Sequence, residues 1–249
     1  MRVLVIGDEC TDVYVYGSCK RLCPSAPVPV FVPSCQKENK GMAGNVYQNI
    51  ISLGLPTTLK SNSGAVTKTR YVDEETNHML LRVDSGEEKI KRITNLEKDF
   101  LNKFDAVVIS DYNKGFLHKE DIRFICDNHP LVFIDTKKII GDYCKNCSFI
   151  KINQPEFERS FHSMENSAYE WASKKTIITL GSKGASYRDK VYPVEKVEIK
   201  DLCGAGDTFL SGLVAEYLKS RDIGKAIKFA NSCSTKVVQM KGVNVLNDI

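Results

Sequence analysis

The sequence predicts an α/β fold built on a mostly parallel sheet. Apolar runs of strand length recur without the in–out alternation of a half-exposed strand, helix-length segments separate them, and most end on Asp, Asn or Gly. Strands buried on both faces read as continuous apolar runs, and strand–helix alternation sets them side by side in parallel. Such sheets bind ligands beyond the carboxyl ends of their strands, where these polar and small residues gather.

The first run, VLVIG, ends at Asp8 with Asp12 close behind, and is too short for a secretory leader. Residues 13–37, with VYVYGS and the proline-rich PSAPVPVFV, alternate only in part and carry polar residues throughout. A helix is expected over 43–53. Residues 69–84, TRYVDEETNHMLLRVD, read as a hairpin turning near Glu74 to Asn77. Both irregular stretches fit a small exposed sheet over the ligand edge, the alternative being loops with edge strands. A helix over 94–104 leads to AVVISDY, ending at Asp111, and one over 118–128 leads to LVFIDTK, ending at Asp135. FIKINQPE ends at Asn153, a helix covers 157–174, and TIITLGSKG ends at Gly181.

Residues 201–209, DLCGAGDTF, then place Gly204, Ala205, Gly206 and Asp207 between a polar strand end and the apolar positions Phe209, Leu210, Leu213, Val214, Tyr217 and Leu218. That spacing fits one face of a helix over 207–220, followed by another over 223–240. With no repeat, low-complexity tract or linker, the chain reads as a single domain over 1–249.

Composition narrows the function classes. The 249 residues carry a net charge of +4 with the basic residues dispersed and no basic run interleaved with aromatics, so nucleic-acid binding is not expected. No segment is long enough to cross a membrane, and a cytoplasmic protein is expected. Nine cysteines are many, but in that compartment they read as reduced thiols. Zinc would require the Cys144/Cys147 and Cys19/Cys23 pairs to converge, which nothing local demands.

The small residues at 204–206 stand where a helix begins, with N–H groups unpaired and the positive end of the dipole exposed, a setting that attracts phosphate. Asp207 could merely cap the helix. Alternatively it is a general base beside an anion hole, taking a proton from an attacking hydroxyl as a phosphoryl group transfers. A single strand-end Asp or Asn is ordinary turn chemistry. Several polar strand ends on one edge favour a ligand site, and the base with it.

GAGD heading an apolar helix resembles the second signature of the ribokinase (PfkB) family of sugar kinases. Lys40-Gly41-Met42-Ala43-Gly44-Asn45-Val46 resembles the first, a Gly-rich stretch that ends in Asn and enters a helix. Members often have two adjacent glycines there, and Met42 in place of one is expected to narrow the sugar pocket. Asp8, Asp12, NQPE at 153–156, TLGSKG at 179–184 and FANSCS at 229–234 match too, so the similarity covers essentially the whole chain. Within the family, RLCPSAPVPV at 21–30 resembles the lid segment RISPEAPVPV of the D-glycero-β-D-manno-heptose-7-phosphate kinases, with Ser25 where Glu is usual. SDYNKG at 110–115, IDTKK at 134–138 and Thr67, Lys68 and Arg70 are similar to further segments of that branch.

The resemblance implies a ribokinase-like three-layer α/β/α fold with a small β lid, and transfer of the ATP γ-phosphoryl group to a sugar phosphate, first of all the anomeric hydroxyl of heptose 7-phosphate. Asp207 would be the base, with the Gly204, Ala205 and Gly206 amides as anion hole. Asp8, Asp12, Gly41 and Asn45 would hold the sugar, Asp111 would be a further substrate-binding residue, and Lys68, Arg70, Lys114 and Lys137 would lie at the phosphate-bearing end of the acceptor. Asn153 and Glu156 would help place Mg²⁺, Glu156 through water. Thr179, Gly181, Lys183 and Gly184 would line the nucleotide, with Asn231 near the adenine. A monovalent cation near the GAGD loop and a homodimer paired through the lid strands are also implied.

The departures are length and domain content. Only a short stretch separates Leu59 from Lys68, where relatives carry another strand and helix, and the bifunctional members' nucleotidyltransferase motif is missing, so a kinase activity alone is expected. The rival readings are a kinase for another sugar or a nucleoside, and a non-catalytic ligand-binding homologue. Retention of Asp207 argues against the latter. A dinucleotide-dependent oxidoreductase is disfavoured because no GxGxxG follows the first strand.

Overall fold

A computed structural model of the chain describes residues 1–62, 66–162, 164–240 and 245–246. β1 (Val3–Gly7) runs almost directly into β2 (Glu9–Ser18), which returns as β3 (Val32–Met42) and continues without a break into α1 (Ala43–Ser52). β4 (Thr57–Ser61) precedes the hairpin β5 (Thr67–Asp73) and β6 (Met79–Ser85). Next come α2 (Lys98–Leu101), β7 (Ala106–Asp111), α3 (Lys119–Asn128), β8 (Val132–Thr136), β9 (Phe149–Asn153), α4 (Gln154–Phe161) and α5 (Asn166–Lys175). β10 (Thr176–Thr179), the short hairpin β11 (Ala185–Tyr187) and β12 (Lys190–Tyr192), α6 (Ala205–Ser220) and α7 (Ile223–Val237) complete the order.

The five apolar runs form β1, β7, β8, β9 and β10, all parallel, in a sheet ordered β12-β11-β10-β9-β8-β7-β1-β4. Side chains alternate across a strand, so β1 feeds two cores. Val3 and Val5 pack with α1, α6 and α7 residues such as Ile50, Leu213 and Ile227. Leu4 and Ile6 pack on the opposite face with Leu101, Ile122 and Phe161. The result is three layers, helices–sheet–helices. β1 lies between β4 on one side and β7 on the other. The strand order therefore reverses at its carboxyl end, where open α/β sheets hold ligands.

A second sheet, β3-β2-β5-β6, stands at that edge. β2 is its largely buried centre, whereas β6 is exposed along its whole length and β3 along most of it. The turn between β5 and β6 falls at 74–78, as the hairpin reading places it. Proline-rich residues 19–31 form only one isolated bridge, Leu22 with Pro29, because each proline lacks an amide for the ladder.

Other boundaries differ from expectation. The 94–104 helix contracts to α2, since Asn95 takes a left-handed φ of 55°. The 157–174 helix divides, because Glu165 is extended (ψ 149°). Among the described residues no strand precedes GAGD, residues 193–203 forming no ladder there. The mixed-polarity β4, β11 and β12 give no apolar run to detect. Among the described residues, no helix is long and apolar enough to cross a membrane, and no three His, Cys, Asp or Glu side chains converge on a metal position.

Candidate active site

α6 begins at a left-handed residue, Gly204 (φ 77°), which serves as its N-cap. Glycine populates that region without a Cβ penalty. The next amide differs from expectation, because the Ala205 N–H turns back onto the Leu202 carbonyl (3.3 Å). Helix geometry instead leaves the first-turn N–H groups of Gly206 and Asp207 without intrahelical acceptors. Gly206 lets Lys151 approach closely: a Cβ there would lie 2.9 Å from Lys151 Nζ and would push the ammonium aside.

Asp207 is buried in the first turn. Its Oδ2 accepts a hydrogen bond from Asn45 Nδ2 (3.1 Å) and its Oδ1 from the Tyr112 hydroxyl (2.8 Å). Asn45 is fixed in turn by Asn49, whose Nδ2 donates to its Oδ1 (2.8 Å). Burial pushes the Asp207 carboxyl up to about 6, against the two hydrogen bonds that favour its charged form. A base in that range is ionised at neutral pH yet can still accept a proton.

The adjacent strand ends supply cations. Lys151, in the middle of β9, donates to Asp135 Oδ2 (2.6 Å) across the β8–β9 boundary, both side chains being nearly inaccessible. Burial alone would raise Asp135, but the Lys151 and Lys137 ammonium groups hold it below the usual carboxylate range. Lys137 Nζ lies 2.5 Å from Glu156 Oε1, 3.7 Å from Asp135 Oδ1 and 5.3 Å from the Tyr112 ring centroid. The turn after β8 thus aims Lys137 at the N-terminus of α4, while it still lines the cavity that holds Asp207. Asn153 and Glu156 form a reciprocal capping box there: Glu156 N–H donates to Asn153 Oδ1 and Asn153 N–H to Glu156 Oε2, both 2.9 Å. With Lys137 on its other oxygen, Glu156 offers no free carboxylate to Mg²⁺. The described residues therefore do not form a ready cage for that ion.

Two cavities meet here. One, of about 270 Å³, is lined by Tyr112, Asp135, Lys137, Lys151 and Asp207 among others. The second, of about 400 Å³, lies between the 193–202 segment, the start of α6 and α7, and includes Gly181, Gly184, Phe209 and Asn231. Thr179 and Gly206 line both. Gly184 is held by its left-handed φ of 91° and by the Tyr192 carbonyl, 2.1 Å from where a Cβ would stand. Asn231 lines the larger cavity, but its Nδ2 is committed to the Tyr192 carbonyl (2.8 Å). Lys183 is exposed and lines neither cavity.

The remaining predicted residues divide into open and closed groups. Asp12 pairs with Arg70 Nη1 (2.5 Å) on the lid. It also lies flat on Gly41, where a Cβ would stand 2.2 Å from Asp12 Oδ2. Asp8 accepts the N–H groups of Tyr112 (2.8 Å), Lys114 (3.2 Å) and Phe116 (3.3 Å), so it shapes the loop after β7 instead of presenting a free carboxylate to a sugar. Asp111 is closed off as well. Its side chain is fully buried against Lys138 (2.7 Å) and the Thr136 hydroxyl, and it opens onto neither cavity. Lys114 pairs with Glu87 (2.7 Å). Of the four proposed acceptor cations, Lys68 alone has no carboxylate within ion-pair distance among the described residues.

Tyr112, Asp135 and Lys151 were not singled out as site residues by sequence. The available signal was Lys151 itself, a cation inside the apolar run FIKIN, where burial requires a partner.

Comparison with known proteins bears on the family and the fold. The model for the pfkB family carbohydrate kinase domain matches residues 60–249. The bifunctional protein HldE of Helicobacter pylori is 30% identical over 295 aligned positions, covering 97% of this chain and 63% of HldE, so the chain spans less than two thirds of that relative. Among solved structures, a ribokinase from Thermotoga maritima superposes with a TM-score of 0.73 at 15% identity, covering 97% of this chain and 94% of that one. Arabidopsis thaliana ribokinase, solved with ribose and ATP, gives 0.71 at 13% identity and covers 100% and 95%. The matched family domain, the ribokinase-like three-layer architecture and the GAGD helix start together make this chain a member of the PfkB family of carbohydrate kinases.

Proposed function

We propose that the protein transfers the γ-phosphoryl group of ATP to a hydroxyl of a sugar phosphate, with the anomeric hydroxyl of D-glycero-D-manno-heptose 7-phosphate as the leading acceptor. The observation that carries the reading is the junction of the two cavities at Gly206, with Asp207 on one side and a groove sized for a nucleotide on the other. An acceptor hydroxyl beside Asp207 gives up its proton as it attacks. The Gly206 and Asp207 amides and the Lys151 ammonium stand where charge develops on the transferred group. Magnesium would arrive with the nucleotide, held chiefly by phosphate oxygens and water.

The choice of acceptor rests on the PSAPVPV and SDYNKG segments, the HldE relative, and Lys68 and Arg70 on the lid, which suit a substrate that already carries phosphate. The exposed lid edges β3 and β6 would pair across a two-fold axis in a homodimer. A coupled ADP-release assay over heptose 7-phosphate, ribose, fructose 6-phosphate and adenosine tests the reading. Turnover with heptose 7-phosphate, strongly lowered by Asp207→Asn, is expected. Activity confined to the other acceptors would replace the substrate, and no ATP-dependent transfer to any of them would favour the non-catalytic reading.

A further inference from the structure

Met42, at the junction of β3 and α1, has φ 56° and ψ −131°, angles that a residue bearing a side chain rarely adopts. Glycine would take them without strain. Strain of this kind persists only where surrounding contacts over-determine it, and it clusters at functional sites. The contacts are specific. Met42 is 4% exposed and forms a small buried cluster with Cys10 of β2 and Val66, against which Tyr112 and Ile90 pack. The cluster joins the lid, through Cys10 and Val66, to the loop after β7 that carries Tyr112. The backbone of that loop is tied down by Asp8, as described above. Its ring is placed by the cluster and by Lys137, and its hydroxyl is the donor to Asp207.

We propose that Met42 is a positioning residue for the base: its side chain keeps the Tyr112 ring in place, and with it the Tyr112 hydroxyl on Asp207. The catalytic consequence rests on the kinase reading above, whereas the packing of Tyr112 against the Met42 cluster is a property of the ligand-free protein. The groups facing Asp207 are Asn45 from α1, Tyr112 from the loop after β7, Asp135 and Lys137 at the end of β8, Lys151 from β9 and Cys10 from β2. Loss of the tyrosine bond removes one donor to the charged form and leaves the others in place.

The test is a pH titration of the Asp207 carboxyl carbon by NMR in the ligand-free full chain. Wild type, Met42→Gly, Met42→Ala, Met42→Leu and Tyr112→Phe are compared, with melting temperatures measured alongside. Wild type should titrate near 6. Tyr112→Phe, Met42→Gly and Met42→Ala should each titrate higher, by roughly half to one pH unit for one lost hydrogen bond. Met42→Leu, which retains the bulk, should follow wild type. Met42→Gly should melt no lower than Met42→Ala, since glycine releases the strain. If Met42→Gly and Met42→Ala titrate with wild type, or if Tyr112→Phe does, the inference is overturned. Phosphoryl transfer by the same proteins separates the two ideas. A wild type inactive on every acceptor sinks the kinase reading, while the titration still decides the role of Met42. In an active enzyme, the acid limb of the kcat/KM profile moves with the Asp207 titration.

Discussion

At the scale of single residues, the site depends on one buried carboxylate whose charge is costly. Asp207→Asn should lower kcat by about 10²–10⁴-fold, the usual loss for a general base, read in the same coupled assay. On the proposed reading Asp207 acts as base in its ionised form, so kcat/KM should fall about tenfold per pH unit below about 6. The stability effect has the opposite sense. The folded state holds this carboxyl above its unfolded value of 3.8, so it binds more protons than the unfolded chain between roughly 4 and 6. Its contribution to stability is therefore present at low pH and is lost as pH rises through that window. Asp207→Asn should accordingly stabilise the protein at pH 7, by roughly 1–3 kcal/mol, measurable by urea denaturation. An inactive variant more stable than wild type would be the signature of a residue retained for chemistry.

At the scale of elements, the β8–β9 pair carries both packing and charge. Lys151→Ala leaves Asp135 buried without its closest cation and should cost about 3–5 kcal/mol, with activity lost as well. The double variant Lys151→Met with Asp135→Leu should recover most of that stability in denaturation experiments and none of the activity. This pair also shows what the sequence could and could not convey. The strand ends at Asp8, Asp111, Asp135 and Asn153 were legible because each apolar run stops there, and α6 because small residues precede a periodic face. Which of those ends would open onto the cleft was not legible. Asp8 and Asp111 turn into structural partnerships, while Asp135 faces the cavity. That depends on cross-strand register and on which face each residue takes, and neither is a local property. Tyr112 escaped for the same reason: its partner is 95 positions away, and only the packed sheet brings the two together.

At the scale of the whole molecule, the lid presents its edges outward. Met79 (58% exposed) and Leu81 (56%) lie on the edge strand β6, whose outer side has no partner strand among the described residues, a feature that monomers usually cover or charge. Light scattering should therefore report a dimer at micromolar concentration, and Leu81→Lys should shift it toward the monomer with ATP binding retained. The position of β1 has a different consequence, one of timing. It is made before both of its neighbours, yet it ends up inside the sheet, with Val3 beside Thr57 on one side and Ala106 on the other. A nascent chain can pair one edge of VLVIG once β4 has been made, but must leave the other edge open until roughly a hundred residues after β1 have been made, long enough for an apolar strand to recruit a wrong partner. Holdase chaperones should thus find a foothold at the open edge of β1, and dependence on them should diminish once β7 has emerged.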